Sequence, residues 1–299
     1  MKNKLLFGNI IGALAYLVWG ALPLFWALLS RVSSFEIIAH RIILSFLLLG
    51  LIFIITKKKN LFEPMRDKRT RIHLILAGLV LFINWSTFII AVLANHVMEC
   101  SLAYYINPLI VIAIGMIFFK ESTAWLKLVA VSLAVVGVLI LSIGYGRVPY
   151  FALVMAVSFG TYGVLKKQVS LDAYTGLFFE MMTMLPIAIG IETYVLLTGG
   201  SIYFGGIDSI WFLLILMMSG VLTMLPLVLY NTGLNMIAFG NMGFLLFITP
   251  TMMFFISVFV NKEPFTTMHL ISFIFIWTAV ILYCINLAIQ SKKKKMLTQ

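Results

Sequence analysis

Four ionisable side chains stand inside or at the ends of long apolar stretches of this 299-residue chain: His40, Arg41, Glu99 and Glu180. A charged group at the centre of a membrane helix costs roughly 2.5 to 3.5 kcal/mol on insertion scales, so each points to pairing, ligand binding or proton movement. Arg41 presents a planar fork of five N–H donors, matched to an anionic group. Glu99 is opposite in charge and close in depth. Two readings follow, a salt bridge that locks two helix ends or an outer gate in which Arg41 also meets an anion, and His40 beside them reads as an interfacial histidine. Glu180 has no basic residue that the sequence places at its depth. Such a carboxyl holds its proton tightly and could exchange it during a cycle; the alternative is a permanently neutral group bonded to Tyr162. Trp19, Asn84, Tyr104, Tyr105, Asn107, Tyr162, Tyr230 and Asn231 lie near mid-depth and would line a polar cavity, the amides because they must find hydrogen bonds. No Gly-x-Ser-x-Gly, His-Glu-x-x-His or phosphate-cradling loop occurs. Cys100 and Cys284 lack metal or redox spacing, so no catalytic set, metal or cofactor is expected.

The elements that must position these residues are set by composition. Hydrophobic residues make up 63% of the chain, charged residues 10%, and the mean hydropathy is +1.11, values that fit an integral all-α membrane protein. Ten spans can be read, at about 7–28, 36–56, 73–93, 100–119, 125–144, 149–166, 174–197, 210–230, 240–261 and 267–289. The first lacks a cleavage site and reads as a retained helix. The net charge of +11 sorts by side. Lys2, Lys4, the run from Lys57 to Arg71, Lys120, Lys127, Lys166, Lys167 and Lys292 to Lys295 share one side, whereas Arg31, Arg147 and Lys262 stand on the other. That asymmetry places both termini in the cytoplasm. The basic runs then favour anionic lipid headgroups, and no nucleic-acid partner is expected. Tyr145, Tyr150, Tyr203 and Trp211 read as interfacial anchors, Glu192 as a group reaching the interface, and His73, His96 and His269 as span-end residues.

One pattern occurs twice. Tyr105-Ile106-Asn107-Pro108 precedes Lys120-Glu121, and Phe247-Ile248-Thr249-Pro250 precedes Lys262-Glu263 at the same distance, an offset of 142 residues. Gly78 pairs with Gly220 and Phe88 with Tyr230 at that offset, while Trp19-Gly20 pairs with Phe159-Gly160 at 140. The chain is a duplication, divided at 1–146 and 147–299. Five spans per copy put the second copy in the membrane upside down, the architecture of many alternating-access transporters with a midplane site between the halves. Pro23, Pro108, Pro186, Pro226 and Pro250 interrupt spans, and each frees a backbone carbonyl a turn earlier. Asn84 opposite Pro226 and Glu99 opposite Asn241 predict that the two halves differ chemically. Spans five and ten, poor in polar residues, should lie outermost, facing lipid or a second copy of the chain. A passive channel is the first alternative and an intramembrane enzyme the second.

The motifs carry a resemblance over the whole length. Trp19-Gly20, Glu36-Ile-Ile-Ala-His40-Arg41, Asn84-Trp85, the segment from Glu99 to Pro108, Phe159 to Lys167, Thr175 to Glu180, and Phe275-Ile-Trp277 resemble the RarD group of the EamA family, in the drug/metabolite transporter superfamily. The resemblance implies ten helices with inward termini, two EamA repeats around a central cavity, and export of a small-molecule substrate. An ion gradient, of protons or another coupling ion, or the substrate's own gradient would supply the energy.

Overall fold

The computed structural model describes residues 2–93, 97–121, 124–145, 148–203, 207, 209–260 and 267–296. His96, Arg147, Lys262 and Glu263 lie outside the described residues, as do the side chains of Lys2, Tyr145, His269 and Lys292 to Lys295. Every regular element among them is helical, because inside hydrocarbon only a helix satisfies each backbone group within its own segment. The helices are α1 (Lys2–Leu28), α2 (Ser34–Ile55), α3 (Lys68–Leu93), α4 (Val97–Ile117), α5 (Trp125–Tyr145), α6 (Tyr150–Lys167), α7 (Ala173–Leu197), α8 (Ile210–Leu234), α9 (Phe239–Leu246), α10 (Ile248–Phe255) and α11 (Thr267–Met296). With α9 and α10 counted as one crossing, they make the ten spans of a multi-pass membrane protein. Seven of these crossings are long and apolar enough by themselves, and α4 and α11 contain shorter apolar runs. Ser33, Asp172 and Ser209 cap α2, α7 and α8, each side chain accepting an amide of the first turn.

The packing has the two-fold symmetry of the sequence. α1 lies on α8 as α6 lies on α3; α1 lies on α9 and α10 as α6 lies on α4; α2 crosses α8 as α7 crosses α3. The remaining principal contacts join equivalent elements, α2 with α7, α4 with α9 and α5 with α11. Matched glycines allow the close crossings. A β-carbon at Gly78 would stand 2.9 Å from the Glu180 carbonyl of α7, and one at Gly220 would stand 2.5 Å from Leu44 Cβ of α2. Gly20 meets Met252 of α10 and Gly160 meets Ile110 of α4, the glycines 140 apart and the residues they meet 142 apart.

The two proline spans differ. α4 runs through Pro108 without a break, whereas the ninth span, expected as one piece, breaks at Phe247 and ends in a π turn over Ile256–Val260. Two hydroxyls near the break make bonds of their own: Thr251 Oγ1 donates to Phe247 O, and Thr249 Oγ1 donates to Tyr16 O of α1. α5 and α11 form a peripheral pair around Ala134, Ile276 and Tyr283, as the sequence suggests, with apolar outer faces.

Candidate functional site

The two ends of the bundle are named here by their residues, a basic end bearing Lys58 and Lys167 and an opposite end bearing Arg31 and Tyr203. In the basic half, Glu180 is fully buried seven residues into α7. Lys166, in the last turn of α6, forms a buried ion pair with Glu180 Oε1. Tyr162, one turn earlier on α6, donates to Glu180 Oε2 at 3.0 Å and accepts from Asn231 Nδ2 of α8 at 3.1 Å. The relay therefore runs from Asn231 through Tyr162 to Glu180, with the ammonium closing the other oxygen. Lys167 turns the other way and donates to the carbonyls of Leu234 and Ile237, closing the end of α8.

Towards the centre stands an aromatic cluster, Tyr16 and Trp19 from α1, Phe159 and Tyr162 from α6, and Tyr230 from α8. Ring centroids within it are 5.5 to 6.2 Å apart. The hydroxyls of Tyr16 and Tyr230 are buried and have no hydrogen-bond partner among the described residues. A buried polar group left so costs about 1 to 3 kcal/mol, which makes these two the available donors of the centre.

The opposite half is organised around Arg41. Its Nε donates to Thr223 Oγ1 of α8 at 3.1 Å, and its guanidinium carbon lies 3.9 Å from the ring centre of Trp85 on α3 and 5.3 Å from that of Trp26 on α1. Tyr104 on α4 is near enough to interact electrostatically. Groups from four other helices thus surround a side chain on α2, so it points into the bundle. Arg41, Trp26, Trp85 and Tyr104 all keep partial exposure, whereas Tyr16, Tyr162, Glu180, Tyr230 and Asn231 have almost none. The side chains around Glu180 are closed off, whereas a partly open crevice surrounds Arg41.

Above Arg41, α2 and α7 are tied at the opposite end. Glu36 is buried and accepts from Ser201 Oγ at 2.6 Å and Ile202 N at 3.0 Å. His40 Nε2 meets the Tyr203 hydroxyl at 3.0 Å and Glu192 Oε1 at 3.5 Å. Burial, with Glu192 and Glu36 nearby, raises the Tyr203 hydroxyl and keeps it protonated. At the basic end the same two helices are joined by Lys58 on Asp172 at 2.6 Å and on Thr175 Oγ1 at 2.5 Å.

Several expectations change. Glu180 does have a basic partner: Lys166 is counted as a loop lysine in the linear sequence, yet its long stem carries the ammonium back into the bundle. The Tyr162 bond weighed as an alternative is present alongside it. Arg41 and Glu99 do not form a salt bridge among the described residues. Glu99 instead accepts from the Phe151 amide at the start of α6, 2.8 Å away, while Arg41 reaches down to Thr223. Glu192 and Tyr203 are not simple interfacial groups but His40's neighbours. Tyr105 packs on Phe273 of α11, at the outer pair and away from the crevice, because adjacent residues on a helix point about 100° apart and Tyr104 takes the inner direction. Asn84 ties α3 to α6 through Met155 O and Ser158 Oγ, and Asn107 is buried with its Oδ1 unpartnered among the described residues. Trp19, Tyr162, Tyr230 and Asn231 come together as expected. Lys166, Tyr16, Trp26, Trp85, Thr223 and Glu36 were missed as site residues; for Tyr16 the available signal is its spacing one turn before Trp19, and for Trp85 its place beside Asn84.

Fold and site define a multi-pass membrane protein with two five-span repeats packed about a central polar and aromatic region, the build of a membrane transporter. The model of the EamA-like transporter family matches twice, over residues 6–143 and 148–285, and the chain belongs to that family. It is 38% identical over 280 residues to the uncharacterized transporter YojE of Bacillus subtilis, covering 92% of this chain and 93% of that protein. Protein RarD of Escherichia coli is 31% identical, over 93% of this chain and 94% of its own. The chloramphenicol-sensitive protein RarD of Pseudomonas aeruginosa is 26% identical, over 92% of each. A solved crystal structure superposes with a TM-score of 0.67 at 15% identity, over 92% of this chain and 96% of that one, a likeness of fold alone.

Proposed function

We propose that the chain is a secondary transporter that exports small metabolites or drugs across the bacterial inner membrane by alternating access, with both termini cytoplasmic. One observation carries the reading: a scaffold with two-fold contact symmetry holds an asymmetric interior, closed around Glu180 and partly open around Arg41. In an inverted repeat the mirror arrangement is open to the same scaffold, since each half can adopt the packing of the other. With the basic end inside, the crevice faces outward and the Lys166–Glu180 relay closes the inner route. Glu180 is the proposed coupling residue. Its proton would compete with Lys166 for the same carboxylate, so a proton or a second cation could weaken the seal.

The experiment begins with an untargeted metabolite comparison of cells with and without the protein, followed by flux of the compound that accumulates without it. Saturable flux with counterflow in reconstituted vesicles is the expected result. Flux linear in concentration and without counterflow would make the protein a passive channel. Orientation is read in a background lacking Cys100 and Cys284: an impermeant thiol reagent should label Arg31→Cys from outside the cell and Lys59→Cys only after the membrane is opened.

A further inference from the structure

We propose that Arg41 is the point of substrate recognition, and that the substrate carries a compact oxyanion, a carboxylate or phosphate, on an apolar body. This deepens the transport reading and rests on it. Among the described residues Arg41 lacks a partner for most of its donors. Its Nε is committed to Thr223, but among the described residues its terminal Nη groups have no acceptor and no carboxylate within salt-bridge distance. The acids of this half are otherwise engaged: Glu36 by Ser201 and Ile202, Glu192 by His40, and Glu99 by the Phe151 amide and further contacts.

Two ring faces and one hydroxyl occupy only part of the guanidinium, and the side chain keeps partial exposure. A residue kept only for packing would be better served by an apolar side chain of similar size. The geometry gives Arg41 a different use. Trp85 and Trp26 cover guanidinium surface and Thr223 takes the Nε side, which leaves the Nη edge for a ligand, and that edge makes paired bonds to two oxygens of one anion. The indoles beside it, and Trp19 and Tyr230 further in, give an apolar body somewhere to lie, with the unpartnered Tyr16 and Tyr230 hydroxyls beyond.

The test uses full-length protein in dodecyl maltoside, reading tryptophan fluorescence, since two indoles touch the guanidinium. The probes are hexanoate, hexyl phosphate and the neutral hexanamide. At least one anion should bind about tenfold more tightly than the amide. Arg41→Gln should erase that preference, and Arg41→Lys, which keeps the charge but loses the fork, should weaken anion binding several-fold. Equal response to the amide, no response to either anion at millimolar concentration, or undiminished anion binding in Arg41→Lys would overturn the proposal. The lysine variant decides the matter if the glutamine variant does not fold. Nanodiscs containing phosphatidylglycerol form a second arm: abolition of the response there would assign the site to a lipid headgroup and overturn a free substrate. Binding without counterflow would leave recognition standing and remove transport, and counterflow of a neutral solute without anion binding would do the reverse.

Discussion

Glu180 shows how a single residue acquires its chemistry from the fold. Both carboxylate oxygens are occupied, one by Lys166 and one by Tyr162, in a place from which water is excluded. Breaking one partner of such a pair strands the other and costs about 3 to 5 kcal/mol, whereas removing both with apolar groups costs far less. Thermal unfolding of Glu180→Leu, Lys166→Met and the double variant should therefore show strong coupling, the double change being milder than the sum. Additive losses would mean that the two groups do not meet. Glu180→Gln keeps the shape and loses the titration; if the residue couples protons, pH-driven transport disappears while the folded protein survives. Unchanged pH dependence in vesicles would leave Glu180 a structural role. The sequence marks Glu180 as chemically significant because an acid in an apolar run is conspicuous. It hides Lys166, since a lysine at the end of a span looks like every other loop lysine until the direction of its stem is known. Arg41 misleads for the same reason, its reach exceeding the spacing between candidate partners.

At the scale of elements, the crossings rest on a few glycines and the helix ends on a few caps. Gly220→Ala would put a β-carbon against Leu44 of α2, backbone included, and should destabilise by about 1 to 3 kcal/mol. Gly190→Ala meets nothing within 4 Å on α7 and should stabilise slightly through helix propensity, by up to about 1 kcal/mol. Equal effects on the unfolding temperature would refute the close α2–α8 crossing. Asp172 caps α7 outside the span. Burial alone would raise its carboxyl, but the bonds from Lys58 and Thr175 outweigh that and hold it below the usual value near 4. A depressed folded value stabilises above the unfolded value and is lost as pH falls through the folded one, so this cap weakens only below about pH 4. Asp172→Asn should flatten that acid limb, and Asp172→Ala should cost a further increment of about 1 kcal/mol at neutral pH as the cap is lost. An unaltered acid limb in Asp172→Asn would deny the Lys58 link. The elements themselves were legible, because apolar length and the offset of 142 are written in the residues. The break at Phe247 was not, since Pro108 and Pro250 carry the same local signal and differ in tertiary surroundings such as the Thr249 hydroxyl on the Tyr16 carbonyl of α1.

For the whole molecule, the central claim is that one symmetric scaffold seals one half of its interior while opening the other. Two reporters read the halves separately in a background lacking Cys100 and Cys284: Tyr104→Cys in the partly exposed crevice and Leu227→Cys in the buried region nearer the basic end. The seal can be weakened without knowing the substrate, by replacing the Lys166–Glu180 pair with methionine and leucine. The measurement is the rate at which an impermeant thiol reagent, applied from each side of oriented vesicles, labels each reporter with and without that replacement. Tyr104→Cys should be labelled from the Arg31 side and Leu227→Cys should be protected while the pair is intact. Breaking the pair should raise labelling of Leu227→Cys from the basic side and lower that of Tyr104→Cys in step. Simultaneous labelling of both positions, or a rise at one with no change at the other, would contradict the central claim.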